Sequence, residues 1–113
     1  MAVPFDIQLS MSEAPSEAQA RAAESLADPA RQVGLRLTKR GAGVLTFRPR
    51  VQFPFLLMLW HSITGERMTV SFQPDGQEGT RVLIAGVVSG AHHALAADPE
   101  HWTEGLGGTG AGV

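Results

Sequence analysis

The residues with the most obvious chemistry are four histidines, His61, His92, His93 and His101. The chain has no cysteine, so a zinc site would have to combine imidazole with carboxylate oxygen. His93 and His101, with Asp98, Glu100 or Glu104 nearby in sequence, offer one such combination. No H-x-x-x-H or H-E-x-x-H spacing supports it. His92 and His93 are adjacent and would point in different directions on a helix. Ser89 stands close enough to His92 and His93 to suggest a serine–histidine pair, but no G-x-S-x-G elbow is present. Gly41-Ala42-Gly43 opens a strand and is too short for a phosphate-binding loop. Acids such as Asp98 and Glu100 suit the start of a helix. No catalytic residue, metal ligand or cofactor is therefore assigned. A metal-dependent hydrolase using the histidines is the weakest of three readings.

Two other patterns carry more. Arg31, Arg36, Lys39, Arg40, Arg48 and Arg50 fall within residues 29–65, where no acid occurs. The formal net charge is only -2, so a near-neutral chain has a basic middle. Charge clusters of this kind are commonly the wet face of a sheet. They also suit an anionic partner, and Arg36, Lys39, Arg40, Arg48 and Arg50 are the candidate anion-binding residues. The second pattern is Phe53-Pro54-Phe55-Leu56-Leu57-Met58-Leu59-Trp60, which contains no charge and no hydrogen-bonding side chain except the indole. It follows neither the helical nor the strand period and is too short to cross a bilayer. It fits a buried element, a subunit seam, or an exposed apolar surface.

Elements to position these residues are legible. Phe5, Ile7 and Leu9 alternate with Asp6, Gln8 and Ser10, a half-buried strand. Ser16-Glu17-Ala18-Gln19 has capping-box spacing, and Ala18, Ala22 and Leu26 then give a helix a slim apolar face. Asp28-Pro29 suggests a fresh cap with proline first in the helix, and Gly34 suggests its end. Leu35–Lys39 and Val44–Arg48 alternate on either side of Arg40-Gly41-Ala42-Gly43, a hairpin with a loop longer than two residues. Met68, Val70 and Phe72 mark another strand. Thr80–Ser89 is apolar on both faces, which predicts a central strand covered on both sides, and Gly86 marks a bulge or a close approach. Ala91–Ala97 reads as a helix, and Asp98-Pro99-Glu100 starts another through Leu106. Four of the residues from Gly107 to Val113 are glycine, which reads as a frayed tail.

The expectation is one α+β domain over residues 1–106. It has a single antiparallel sheet of about five strands, an N-terminal helix after the first strand and a C-terminal helix on one face. The first strand and helix, the meander, the Gly79-Thr80-Arg81-Val82 strand start and the C-terminal helix make the chain similar to a shortened helix-grip (SRPBCC or Bet v 1-like) domain. That resemblance implies a sheet closed by a C-terminal helix around an apolar cavity. Arginine outnumbers lysine eight to one, a usage that suggests a GC-rich bacterial genome. No basic-then-apolar leader is visible, and a cytoplasmic protein is expected.

The functional expectation is a small binding domain rather than an enzyme. Phe53, Phe55, Leu56, Leu57, Leu59 and Trp60 would bury themselves against a second copy or an apolar small molecule, each contributing about 1.5–3 kcal/mol. The alternative is an anionic membrane surface, or less readily nucleic acid, bound by the basic region. Single strands need exposed aromatic residues for stacking, and the chain has no tyrosine. Trp60→Ala is expected to lower the subunit count, or release a retained apolar molecule, in native mass spectrometry. Unchanged subunit count and unchanged mass in a folded variant would remove this role from the segment.

Overall fold

The computed structural model describes residues 2–49, 66–76, 79–106 and 109–110. The elements run β1 (Ala2–Met11), α1 (Pro15–Ser25), α2 (Ala27–Gln32), β2 (Leu35–Gly41), β3 (Val44–Pro49), β4 (Arg67–Asp75), β5 (Gly79–Ser89), α3 (Gly90–Ala96), α4 (Pro99–Leu106) and β6 (Thr109–Gly110). The strands form one antiparallel sheet in the order β2-β3-β4-β5-β1-β6. The expected α+β architecture is the one found, with five long strands and helices after β1 and at the C-terminal end.

Alternation along each strand sends one set of side chains to the helical face. Phe5, Ile7, Leu9 and Met11 of β1, Leu45 and Phe47 of β3, Met68, Val70 and Phe72 of β4, and Val82, Ile84 and Val88 of β5 are buried there. The helices answer with Ala18, Ala22, Leu26, Ala30, Ala96, Trp102 and Leu106, all buried. The alanines keep α1 slim enough to lie close against β3, β4 and β5. Trp102 is fully buried, stacks parallel to Phe5 with ring centroids 6.4 Å apart and donates its indole N–H to the Ala96 carbonyl at 2.8 Å. A buried indole needs such a partner.

Several local expectations change. The break between the first two helices lies at Leu26, so α2 already includes Asp28 and Pro29. Neither helix start uses a side-chain cap; α1 begins with Pro15 in its first turn after Ala14. Proline at that position lacks an N–H that would be unpaired anyway. Asp98 does cap, accepting the Glu100 backbone N–H at 3.1 Å. The hairpin loop is the two-residue Ala42-Gly43, because β2 runs on to Gly41. β5 is central as expected, with Leu83 and Val87 half-buried and Ala85 exposed on its outer face; the 53–60 segment, a candidate to cover that face, lies outside the described residues. Thr109 and Gly110 pair with Ser10 and Leu9 as the short strand β6.

Gly86 is a close approach rather than a bulge. The β4–β5 register is unbroken around it, and it pairs with Met68 on one side and Phe5 on the other. A Cβ there would stand 2.2 Å from the Arg67 carbonyl oxygen and 2.8 Å from the Met68 Cα. Both are backbone atoms and cannot swing aside. Gly86→Ala should therefore cost about 3 kcal/mol or more, the upper end of overpacking penalties. Urea denaturation measures it, and a cost below about 1 kcal/mol would mean that β4 and β5 part easily.

Candidate functional site

The hairpin β2–β3 holds most of the cations singled out from the sequence, and its shape is set from outside. Gly43 adopts φ +76°, which closes the two-residue turn and favours glycine. The Gln19 side chain of α1 grips that turn: its Nε2 donates to the Gly41 carbonyl at 2.6 Å, and its Oε1 accepts the Gly43 N–H at 3.0 Å. The Gly43 carbonyl accepts the Phe72 N–H of β4 at 2.9 Å. The capping-box glutamine of the sequence is thus a turn anchor.

Between Leu37 and Lys39 the β2–β3 register shifts by one residue. Leu35 and Leu37 face the core, so simple alternation would send Lys39 inward as well. The bulge at Thr38 instead sets Lys39 opposite Thr46, on the outer face of the sheet. Thr38 Oγ1 donates to the Thr46 carbonyl at 3.3 Å across this irregularity. Arg36 stands directly opposite Arg48, and both are exposed. Arg40 pairs with Leu45, which gives it the opposite parity, and it is exposed. Of the candidate anion-binding residues, the structure therefore brings Arg36, Lys39 and Arg48 together on one face and separates Arg40 from them. Arg50 lies outside the described residues, as do Phe53, Phe55, Leu56, Leu57, Leu59 and Trp60.

Among the described residues, none of Arg36, Lys39, Arg40 and Arg48 takes part in an ion pair. Further along the same face come Thr46, opposite Thr69, then Ala85, then Asp6, in successive strands. A shallow concavity of about 370 Å³ lies over Ala85, lined in part by Asp6, Gln8 and Leu83. The outer face thus runs from cationic at the hairpin, through hydroxyls, to a carboxylate on β1.

The histidines do not converge. His92 Nδ1 lies 3.1 Å from Ser89 Oγ, His93 Nε2 lies 3.2 Å from the Pro4 carbonyl, and His101 Nε2 lies 2.9 Å from the Pro29 carbonyl. His101 also meets Trp102 edge-on, with centroids 4.9 Å apart. His61 is outside the described residues. The Ser89–His92 contact is formed, yet among the described residues no carboxylate orients His92, as a nucleophilic triad would require. Nor do three His, Asp or Glu side chains gather among those residues in a way that could hold a metal ion.

Like charges directly opposite one another across antiparallel strands destabilise the pairing. Arg36→Glu should therefore raise stability by about 0.5 kcal/mol at low salt, with the gain shrinking as salt screens it. Arg48→Glu should do the same, and the double exchange should lose the gain because it restores a like-charge pair. Urea titrations of the four proteins form the double-mutant cycle; independent effects of the two exchanges would show that the side chains do not interact. No family model, curated protein or solved structure matches the chain.

Proposed function

We propose that this chain is a binding domain that meets an anionic lipid surface through the β2–β3 face, with Arg36, Lys39 and Arg48 as the contacting cations. The observation that carries the reading is the Arg36–Arg48 pair, set in register and without an ion-pair partner among the described residues. Such a pair works against the hairpin unless a partner supplies the negative charge. Each cation near an anionic membrane contributes about 1 kcal/mol. Three of them give weak, reversible and salt-sensitive attachment. The hydroxyls of Thr46 and Thr69 add donors for phosphate oxygens beside the cations.

The placement of aromatic side chains favours lipid over single-stranded nucleic acid. Phe5, Phe47, Phe72 and Trp102 are all buried on the helical side, so the described outer face offers nothing for bases to stack on. The packing also favours a surface over an interior cavity. The helix-grip resemblance implies an apolar cavity closed by the C-terminal helix. In such a domain the ligand space would lie between sheet and C-terminal helix, where Trp102, Leu106 and Phe5 are packed here.

Flotation with vesicles tests the reading. The chain should float with vesicles containing phosphatidylserine, not with purely zwitterionic ones, and salt should release it. Arg36→Glu combined with Arg48→Glu should weaken binding by about thirtyfold or more. Equal flotation with zwitterionic vesicles, an unaffected variant, or tighter binding to a DNA duplex than to the vesicles would each overturn it.

A further inference from the structure

We infer that the cleft between α2 and the outer edge of β2 binds an amphipathic monocarboxylate, a molecule with one anionic head and a short apolar body. The cleft measures about 350 Å³ and is lined by Ala27 and Arg31 of α2, Gly34 of the turn, and Leu35, Arg36 and Leu37 of β2. That volume is at the small end of ligand pockets. It exists because the wall residues Ala27 and Gly34 are small. Gly34 takes φ +79° to turn the chain from helix to strand. A Cβ built there would lie 3.4 Å from Cε1 of His92, so the imidazole backs the turn and keeps it from closing inward.

The lining combines two chemistries. Leu35 is buried and Leu37 is half-buried, packed against the margin of the core. Together with Ala27 they give the cleft an apolar floor. Arg31 and Arg36 approach from two different elements. Arg31 pairs only with Asp28, three residues before it, and the two side chains are 77% and 74% exposed. A pair that exposed contributes little, and a ligand carboxylate can replace Asp28. Arg36 has no ion-pair partner among the described residues. β2 is also the end of the sheet among the described residues, so its N–H groups facing away from β3 have no ladder partner among them and can donate to the same head. A fully polar anion would leave Leu37 against water. A neutral hydrocarbon would leave the Arg36 guanidinium without a counter-charge. A carboxylate on a short aliphatic or aromatic body satisfies both. This site rests on the lipid-surface reading only through Arg36, since Ala27 and Arg31 are not part of the hairpin face.

The test uses decanoate below its micellar concentration, with decanol and inorganic phosphate as controls, titrated into the full chain and followed by amide NMR and calorimetry. Decanoate should shift the amides of Ala27, Arg31 and Gly34–Leu37, and both controls should bind about tenfold more weakly or not at all. Arg31→Gln should weaken decanoate about tenfold. Ala27→Phe, at an exposed position that leaves the core untouched, should fill the cleft and abolish binding. Both variants should float with anionic vesicles as the parent does. Arg48→Glu should weaken vesicle binding and leave decanoate affinity unchanged, so that the two readings fail separately. Decanoate shifts located elsewhere, or unchanged affinity in Ala27→Phe, would overturn the inference; so would phosphate binding as tightly as decanoate.

Discussion

The pairing of β1 with β5 is the contact on which the remaining structure hangs. It runs from Ala2 opposite Ser89 to Met11 opposite Thr80, joining the first strand to the last long one. Every other long-strand pairing is between neighbours in sequence. Closing so large a loop costs chain entropy that grows only slowly with its length, and ten paired positions with Phe5, Ile7, Leu9, Val82, Ile84 and Val88 on one face repay it. Once β1 is fixed beside β5, α1 and α2 must cross back over the sheet to reach β2. The chain leaving β5 must then place α3 and α4 over β1. Trp102 against Phe5 holds the second excursion on β1, and His101 at the Pro29 carbonyl joins it to the first. Gly86 lies in the same contact, because only a residue without a side chain lets β4 come as close as it does.

Much of this could be read from residue order. Alternation at Phe5–Leu9 and Met68–Phe72 fixed which side chains go inward, since a strand half-covered by helices has no other stable pattern. Helix ends were harder. A proline is tolerated anywhere in the first turn, so Asp28-Pro29 suggested a start at Pro29 when α2 begins at Ala27. Leu83 and Val87 sit in the middle of the sheet, where the described neighbouring strands half-cover them. Pairing between β1 and β6 left no pattern in a glycine-rich stretch, because two residues are too few to show a period.

The candidate site was half legible. Arg36 and Arg48 follow from alternation about Leu37 and Phe47. Lys39 does not, yet the information was present. A two-residue turn after Gly41 sets Arg40 opposite Leu45, while the core requires Leu37 opposite Phe47. The two demands share one parity only if β2 carries an extra residue, and Thr38 is that residue. Gln19 is a different case. Nothing local distinguishes a glutamine that closes a cap from one that reaches across to a hairpin turn, since both uses need the same donor and acceptor. The α2–β2 cleft could not be foreseen, because it depends on how far a six-residue helix stands from a strand edge.

A sheet that ends in an open strand can grow by adding another strand, and this one has two ends. At one end β6 offers two described residues. At the other, the bulge at Thr38 interrupts the pairing line, and Arg36, Lys39 and Arg40 stand along it. Two copies meeting there antiparallel would set these cations against their own counterparts, the arrangement by which natural proteins keep sheets from polymerising. Among the described residues, assembly by continuing the sheet from β2 of one molecule to β2 of the next is thus discouraged by charge.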